Sequence, residues 1–242
     1  MTSPGSPGVR EIKTSASTAA SRNLAQRVGM AFIAAIVLAV LGLLYWYPVR
    51  RRYLRWGATD ADLERTMPGD GDVPHSNYDT TLAVTVEARP EDIWPWLMQM
   101  GYRRGGLYSY DWLDRLFGFL DRASAERILP EFQCLRPGDV IPIGRGGGFP
   151  VTAVDPNRAL VIAGEADGFA WAWQFGLYHI DGKRTRLVSR NRARHPGTFG
   201  STIFMLVLEP AAFVMTRKML LGIKRRAEEH ARVRDEGQGA AA

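Results

Sequence analysis

The residue types that most often perform catalysis are scattered along this chain. The four histidines, His75, His179, His195 and His230, share no i, i+3 or i, i+4 spacing, so no helix would present two of them to one metal ion. Cys134 is the only cysteine, which excludes an internal disulfide bond and a thiolate metal cluster. No serine lies in a G-x-S-x-G elbow. The sequence therefore predicts no metal or cofactor, and it assigns no catalytic residue.

One loop gathers an unusual set of polar and aromatic side chains. Residues 102–112 read YRRGGLYSYDW and lie between two predicted helices. Such a loop is either packed internally by its own rings or forms the rim of a pocket, where Tyr108, Tyr110 and Asp111 would contact a ligand. The later GRGGG run at residues 144–148 lacks the GK[ST] ending of a phosphate loop and joins two strands, which indicates a hairpin turn.

The longest predicted strand, residues 170–180, has one strongly aromatic face. Alternate side chains of a strand point to the same side, so Trp171, Trp173 and Phe175 share a face while alanine, glutamine and glycine occupy the other. The aromatic face is either a core surface under a covering helix or the wall of an apolar ligand pocket. Both interpretations stay open at the level of sequence.

The next predicted strand, residues 184–194, carries five arginines on one face and Leu187 and Ser189 on the other. A solvent-exposed outer face of the sheet accounts for this pattern. If the sheet is strongly curved, Arg190 or Arg192 reaches the mouth of a cavity instead, where a guanidinium can bind a carboxylate or a phosphate.

Hydrophobic periodicity predicts an α+β body. A strand from residue 81 leads into a helix that Pro90 opens, and further helices are predicted at residues 110–117, 124–129 and 198–232. Between the last two of these helices the predicted strands are residues 139–143, 151–154, 159–164, 170–180 and 184–194. Their short turns imply an antiparallel sheet, and the last helix is long enough to lie across it.

Residues 28–47 form a run of twenty positions without a charged side chain. At about 1.5 Å rise per residue, a helix of this length matches the ~30 Å hydrocarbon core of a bilayer. Aromatic residues at 45–47 and arginines at 50–52 follow, as is typical of a membrane boundary. This pattern predicts a single-pass transmembrane helix and a location in the cell membrane. Three consecutive arginines favour the cytoplasmic side for the residues that follow.

The positive charge of the chain belongs to its N-terminal segment. Residues 1–55 carry eight Lys or Arg and one Glu, whereas the remaining residues carry 23 basic and 24 acidic side chains. A near-neutral body argues against nucleic-acid binding. A basic segment beside an apolar run suits anionic lipid headgroups instead.

Composition suggests five regions along the chain. They are a disordered tail at residues 1–27, the transmembrane helix at 28–47, a juxtamembrane connector at 48–79, a folded domain at 80–232 and a second disordered tail at 233–242. Within the connector, Thr59 is predicted to cap a short helix over residues 60–66. Residues 201–216 are apolar but interrupted by Glu209 and Pro210, so we expect them to pack against the sheet rather than cross a membrane.

Several stretches resemble a known family. WGATDADLERTMPGD, ARPEDIWPWLMQMG, GGLYSYDWLDRL and EPAAFVMTRKMLLGIKRRAE, within residues 54–230, resemble bacterial proteins of the SRPBCC group, also called START-like or polyketide cyclase/dehydrase and lipid-transport proteins. The resemblance implies a helix-grip (START/Bet v 1-like) fold, in which a curved antiparallel sheet wraps around a long C-terminal helix and encloses a hydrophobic cavity. The group spans carriers, receptors, cyclases and co-chaperones without universal catalytic residues, so the resemblance implies a fold and not an activity.

These features lead to three alternative hypotheses about function. In the primary hypothesis the anchored domain binds a hydrophobic or amphipathic, lipid-like molecule in the cavity, because an anchor suits a ligand that partitions into the bilayer. The second hypothesis is a cyclase- or dehydratase-type enzyme in which Asp111, Tyr108 or His195 acts as acid or base in the same cavity. The third is a ligand-free module whose basic last helix contacts lipid headgroups or a protein partner. The candidate ligand-binding residues are Trp94, Leu97, Met100, Tyr108, Asp111, Trp171, Trp173, Phe175, Arg190, Phe213 and Met219.

Overall fold

The computed structural model describes the backbone of residues 8–240 and the side chains of residues 29–237. Its helices are α1 (Gly8–Leu54), α2 (Asp60–Glu64), α3 (Pro90–Met98), α4 (Asp111–Leu116) and α5 (Phe199–Ala240), with a short 3-10 helix at Pro130–Phe132. Its strands are β1 (Tyr78–Val86), β2 (Val140–Pro142), β3 (Gly148–Asp155), β4 (Ala159–Ala166), β5 (Phe169–Asp181) and β6 (Arg184–Arg194). The chain divides into two compact units, residues up to 51 and residues from 52 onward.

Two helices extend beyond the bounds that the sequence predicts. α1 begins at Gly8 and α5 continues to Ala240, so both enter the predicted disordered tails. Neither extension contains a proline, the residue that most effectively ends a helix. Residues 1–7 and 241–242, which also belong to the predicted tails, lie outside the described residues.

Apolar side chains of α1 between Met30 and Tyr47 are exposed. By length and composition, two helical stretches are suited to crossing a membrane, Gly29–Leu54 and the Phe199–Gly237 part of α5. The first contains most of the predicted transmembrane helix. The second differs from it, because its later part packs into the folded body.

The second unit is built on a six-stranded antiparallel sheet with the order β1-β6-β5-β4-β3-β2. Strands β2 to β6 form a meander, and β1 pairs with β6 at the far edge. All predicted strands are present, and β6 has the predicted bounds. The sheet and its long C-terminal helix confirm the α+β helix-grip architecture that the resemblance implies.

The inner face of the sheet, defined here by Phe175 and Leu177 of β5, carries the main apolar core. α5 packs chiefly on α3 and β1 to cover it. The largest fully buried side chains are Trp96, Tyr108, Phe175, Leu82, Ile93, Leu97, Met100, Ile141, Leu160, Ile162, Leu187 and Met219. Burial of this apolar surface is the dominant favourable contribution to folding.

The outer face, defined by Gln174 of β5 and Arg190 of β6, is covered by residues 56–77, named here the outer strap. Val73 of the strap packs on alanines of β4 and β5, and Met67 packs on apolar side chains of β1 and β6. The outer strap is therefore part of the folded body.

Three arginines of β6 hold the outer strap by polar contacts. Arg186 pairs with Asp62 at 2.7 Å, and Arg190 pairs with Asp70 at 2.8 Å. Arg192 donates a hydrogen bond to the carbonyl oxygen of Asp70. The middle of the arginine face is therefore covered rather than solvent-exposed as its pattern indicates, whereas Arg184 and Arg194 at its ends stay more accessible.

The helix predicted at residues 124–129 is absent, and this prediction is wrong. The Leu129 N–H donates to Gln99 Oε1 at 2.8 Å, and Gln99 Nε2 donates to the Arg127 carbonyl oxygen at 3.1 Å. These long-range bonds occupy backbone groups that a helix would need for its own ladder. The segment is consequently irregular.

α5 changes character near Pro210. From Met219 onward one side of the helix is buried in the core, whereas the apolar side chains of residues 199–208 are exposed except for Met205. The prediction that residues 201–216 pack against the sheet is therefore wrong for most of this stretch. The physical reason is that α3 and the later part of α5 already cover the inner face at β1.

Candidate ligand site

A cluster of aromatic rings lies on the inner face at strands β3 and β5. The ring centroids of Phe149 and Trp171 are 4.5 Å apart, and those of Phe149 and Trp173 are 6.1 Å apart in an edge-on arrangement. The Trp173 indole donates Nε1–H to Ser189 Oγ at 2.8 Å, which orients the ring. Phe149, Trp171 and Trp173, named here the aromatic cluster, are only partly buried. They form an apolar aromatic surface that is not fully buried.

Glycine opposite Trp171 makes room for the indole. Gly164 of β4 pairs with Trp171 of β5 in the sheet. A Cβ atom at position 164 would lie 3.0 Å from Trp171 Cζ2, so the indole lies directly against the bare backbone of β4. A glycine inside a strand commonly marks such a close approach.

Burial increases along β5 from one end to the other. Trp171 and Trp173 are partly buried, whereas Phe175 and Leu177 further along the same face are fully buried. The strand therefore continues from an accessible aromatic surface into the packed core. A ligand on the aromatic cluster would meet the core at Phe175.

Most of the predicted lining residues form the packed interior. The buried ones are Trp94, Leu97, Met100, Phe175 and Met219. Phe213 is partly buried, with its ring centroid 5.3 Å from that of Tyr53. Of the predicted lining residues, Trp171 and Trp173 are those on the accessible part of the inner face.

Tyr108 is a core residue in an uncommon backbone conformation. Its φ of 57° lies in the left-handed region that favours glycine, and its side chain is buried. The ring meets Trp96 edge-on at 6.0 Å, and the Arg226 guanidinium lies 4.9 Å from its centroid. A Cβ atom at Gly105 would lie 2.6 Å from the phenol oxygen. Burial raises the pKa of Tyr108 well above its usual value, so the phenol stays protonated.

The remaining polar side chains of the 102–112 loop also make contacts within the body. The Asp111 carboxylate accepts hydrogen bonds from the Ser124 N–H at 3.0 Å and from Ser124 Oγ at 2.7 Å. The ammonium of Lys218 lies 5.6 Å from the ring centroid of Tyr110. These contacts favour the interpretation of an internally packed loop.

Arg190 lies on the outer face, so the prediction that it reaches an inner cavity is wrong. Besides its ion pair with Asp70, its guanidinium donates to the carbonyl oxygens of Asp62 at 2.8 Å and Arg65 at 2.9 Å. The alternation predicted from sequence places the arginines on the correct face. That face is covered by the outer strap, and the guanidinium binds strap groups instead of a ligand.

The residues considered as acids or bases lie in different surroundings. Tyr108 is in the core, Asp111 binds Ser124, and His195 Nδ1 lies 3.1 Å from Ser201 Oγ at the start of α5. Asp114, which the sequence does not single out, is buried beside Ser109, and burial raises its pKa. Among the described residues no group of three His, Cys, Asp or Glu side chains could hold a metal ion.

A groove of about 360 Å³ runs along the later part of α5, away from the aromatic cluster. It is lined by Leu221, Lys224, Arg225, Glu228, Glu229 and Arg232. Lys224 pairs with Glu228 at 2.5 Å and Arg232 with Glu229 at 2.6 Å. Arg225 pairs with Glu126, which lies outside the groove, so each charged side chain of the groove already has an ion partner and the groove offers little to a charged ligand.

Sequence reasoning misses one ring of the aromatic cluster, Phe149, and two residues that contact its indoles, Gly164 and Ser189. Phe149 directly follows the GRGGG turn, and its position in β3 carries only a weak alternation signal. Gly164 and Ser189 have no distinctive sequence context, because their importance depends on cross-strand partners in β5. A register for β3, β4, β5 and β6 would have revealed all three.

Comparison with known proteins gives matches among solved structures alone, since no protein-family model and no curated protein matches the chain. The Zhui aromatase/cyclase from Streptomyces sp. R1128 is 16% identical, with 62% of this chain and 93% of that chain covered and a TM-score of 0.36. A norcoclaurine synthase point mutant from Thalictrum flavum is 15% identical, with 63% and 95% covered and a TM-score of 0.37. Protein MLL2253 from Mesorhizobium loti is 16% identical, with 61% and 98% covered and a TM-score of 0.35. The fold class, an α+β helix-grip protein, is defined by the strand order and α5, and these likenesses carry no argument about ligand or reaction.

Proposed function

We propose that the body of this protein binds a hydrophobic or amphipathic, lipid-like molecule on the aromatic cluster while α1 anchors the chain in a membrane. The observation that carries the proposal is the partial exposure of Phe149, Trp171 and Trp173, three adjoining rings on the inner face of β3 and β5. Ring faces at the edge of a core favour flat or extended apolar ligands, because burial stabilises by about 25 cal/mol per Å² of apolar surface.

Cross-linking of the full chain in lipid vesicles tests this proposal. A fatty acid with a photoactivatable group is added, and cross-linked residues are mapped by mass spectrometry. We expect cross-links on β3 and β5 near Trp171 in addition to those on α1. Trp171→Ala should reduce the cross-links on β3 and β5 at least about tenfold, because one lost indole contact corresponds to about 1.4 kcal/mol or more. Cross-links on α1 serve as the internal reference.

Trp112→Ala is the matched control, since Trp112 is an indole of α4 that is 66% exposed and outside the core. This variant should leave cross-linking of β3 and β5 unchanged. Cross-links restricted to α1 in the unaltered protein would contradict ligand binding by the body. If both tryptophan variants lost cross-links on β3 and β5 to the same extent, the assignment of the site to the aromatic cluster would be contradicted.

We also propose that the body faces the cytoplasm, because three arginines at residues 50–52 directly follow the apolar run. Cys134 is the only cysteine and is exposed, so it reports the side of the membrane without any substitution. A membrane-impermeant maleimide should label Cys134 only after cells are permeabilised. Labelling in intact cells would reverse the proposed orientation.

A further inference from the structure

The first part of α5 is an exposed apolar helix. Residues 199–208, named here the α5 apolar segment, read FGSTIFMLVL and contain no charged side chain. Phe199 is 84% exposed, Phe204 60% and Val207 70%. Apolar side chains at 203, 204, 206, 207 and 208 cover about 200° of the helix circumference at 3.6 residues per turn, and the buried Met205 lies on the remaining side. An apolar stripe of this width is normally buried against protein or lipid.

The later part of the same helix shows the normal pattern of a helix at a protein surface. Leu220, Ile223 and Ala227 are buried in the core, and charged side chains such as Arg225 and Glu229 lie toward solvent. The contrast within one helix shows that the exposure of the α5 apolar segment is a local property. An apolar surface of this kind marks an interaction site.

Contacts of Tyr53 relate the α5 apolar segment to the predicted membrane boundary. Tyr53 Oη donates to Glu209 Oε2 at 3.1 Å, directly after the segment ends, and the Tyr53 ring lies 5.3 Å from that of Phe213. Tyr53 follows Tyr47, the last residue of the apolar run in α1, by six positions. Six steps along the chain reach at most about 20 Å, so only a short length of chain separates the apolar run from the residue that contacts Glu209.

Charge near this boundary favours a lipid surface as the partner. Arg52 and Arg55 lie on either side of Tyr53, and Lys218 follows Phe213 on α5 by five residues. All three are exposed. Basic residues beside an apolar insertion contact anionic headgroups and strengthen binding at an interface.

The length and connections of the α5 apolar segment limit how deeply it enters. Ten helical residues extend about 15 Å, which is half of the ~30 Å hydrocarbon core. Before the segment β6 ends at Arg194 in the sheet, and after it α5 packs on the core from Met219. Since both ends are held by one folded body, the segment can insert into a single leaflet and cannot cross the membrane.

We propose that the α5 apolar segment inserts into the leaflet next to the body and forms a second membrane contact. This inference rests on the membrane anchoring proposed for α1. Two contacts, one from each end of the sequence, set the orientation of the body against the lipid surface.

Spin labelling of the full chain in vesicles of phosphatidylcholine and phosphatidylglycerol tests the proposal. In a Cys134→Ser background, single nitroxide labels are attached through Phe204→Cys, Val207→Cys, Val233→Cys and Leu38→Cys. Val233, 56% exposed on the later part of α5, is the matched aqueous control, and Leu38, 69% exposed on α1, is the lipid control. Collisions with oxygen, which concentrates in lipid, are compared with collisions with a water-soluble nickel chelate.

We expect the oxygen-to-nickel ratio at Phe204 and Val207 to be several times that at Val233 and to match the ratio at Leu38. Ratios at Phe204 and Val207 equal to that at Val233 would overturn the insertion while leaving the anchor intact. A low ratio at Leu38 would overturn the anchor itself. Low collision rates with both reagents, together with spin–spin broadening, would show that a second copy of the chain covers the segment and would overturn the proposal.

Discussion

The two faces of the sheet are buried by different means. On the inner face α3 and α5 pack apolar side chains against β1, and on the outer face the outer strap, which includes α2, is held by arginines of β6. Apolar packing tolerates substitutions that conserve volume, whereas a buried guanidinium leaves several unpaired acceptors when it is removed. The sequence of the inner face can therefore change to suit a ligand, whereas the outer face must keep the arginines that hold the outer strap.

The largest effect is expected deep in the inner face. Phe175→Ala should lower the free energy of unfolding by about 3–5 kcal/mol, because the fully buried ring leaves a cavity. Urea unfolding of the full chain in detergent, followed by far-ultraviolet circular dichroism, measures the change. Trp171→Ala, on the same strand and face, should lower the free energy of unfolding by less, because Trp171 is only partly buried. Equal decreases in the two variants would contradict an inner face that is open at one end.

On the outer face, Arg190→Met should lower the free energy of unfolding by about 3 kcal/mol. The substitution leaves Asp70 and the carbonyl oxygens of the outer strap without their donor. The control is Arg184→Met, which removes an exposed ion pair with Asp181 and should give no measurable change. If Arg190→Met left the free energy of unfolding unchanged, apolar contacts alone would hold the strap.

Adding a single methyl group at one backbone position of the outer strap should destabilise the fold. Gly57 has a φ of 71°, and a Cβ atom there would lie 2.1 Å from the Ala83 carbonyl oxygen. Gly57→Ala should therefore cost at least about 1–2 kcal/mol of stability. Gly71→Ala in the same strap meets no neighbouring atom and serves as the control. Equal urea midpoints for the two variants would indicate that the strap moves freely on the sheet.

The smallest effect is expected in the pH dependence of stability. Burial opposes ionisation of Asp62, but hydrogen bonds from Arg186 and Thr59 outweigh it and hold the pKa of Asp62 below its usual value. A carboxyl with a lowered folded-state pKa stabilises the fold above its unfolded pKa of about 3.9, and this contribution is lost as pH falls through the folded value. The difference in urea midpoint between the unaltered protein and Asp62→Asn should therefore narrow below about pH 4.

Asp60→Asn, an exposed position in the first turn of α2, controls for the loss of a carboxylate at that helix end. A constant difference between the unaltered protein and Asp62→Asn across this pH range would show that the Arg186–Asp62 pair does not contribute to holding the strap.

Local signals predict much of the fold. The bounds of β6 follow from alternation, and α2 begins where Thr59 caps it, with the Thr59 hydroxyl and the Asp62 carboxylate exchanging hydrogen bonds with backbone N–H groups. Both depend on residues close in sequence. The alternation of β5 likewise places Trp171 and Phe175 on one face, as observed.

Contacts between distant residues account for the errors. Arg190 is predicted at a cavity because its partner Asp70 is 120 residues away and belongs to a segment that reads as a connector. Residues 124–129 have helical composition but are held by Gln99. For the candidate site, Trp171 and Trp173 follow from sequence, whereas Phe149 requires the strand register. The sequence pattern also does not show which stretch of α5 the sheet leaves uncovered.

The way the outer strap is held also bears on its susceptibility to proteases. Exposed connecting segments are preferred sites of proteolytic nicking, and the exposed side chain of Arg65 offers trypsin a cutting site. The Arg65 carbonyl oxygen, however, accepts a hydrogen bond from Arg190 at 2.9 Å, so the scissile peptide is held against β6. Cleavage after Arg65 would require the strap to detach first, and its rate would follow the population of that opened state.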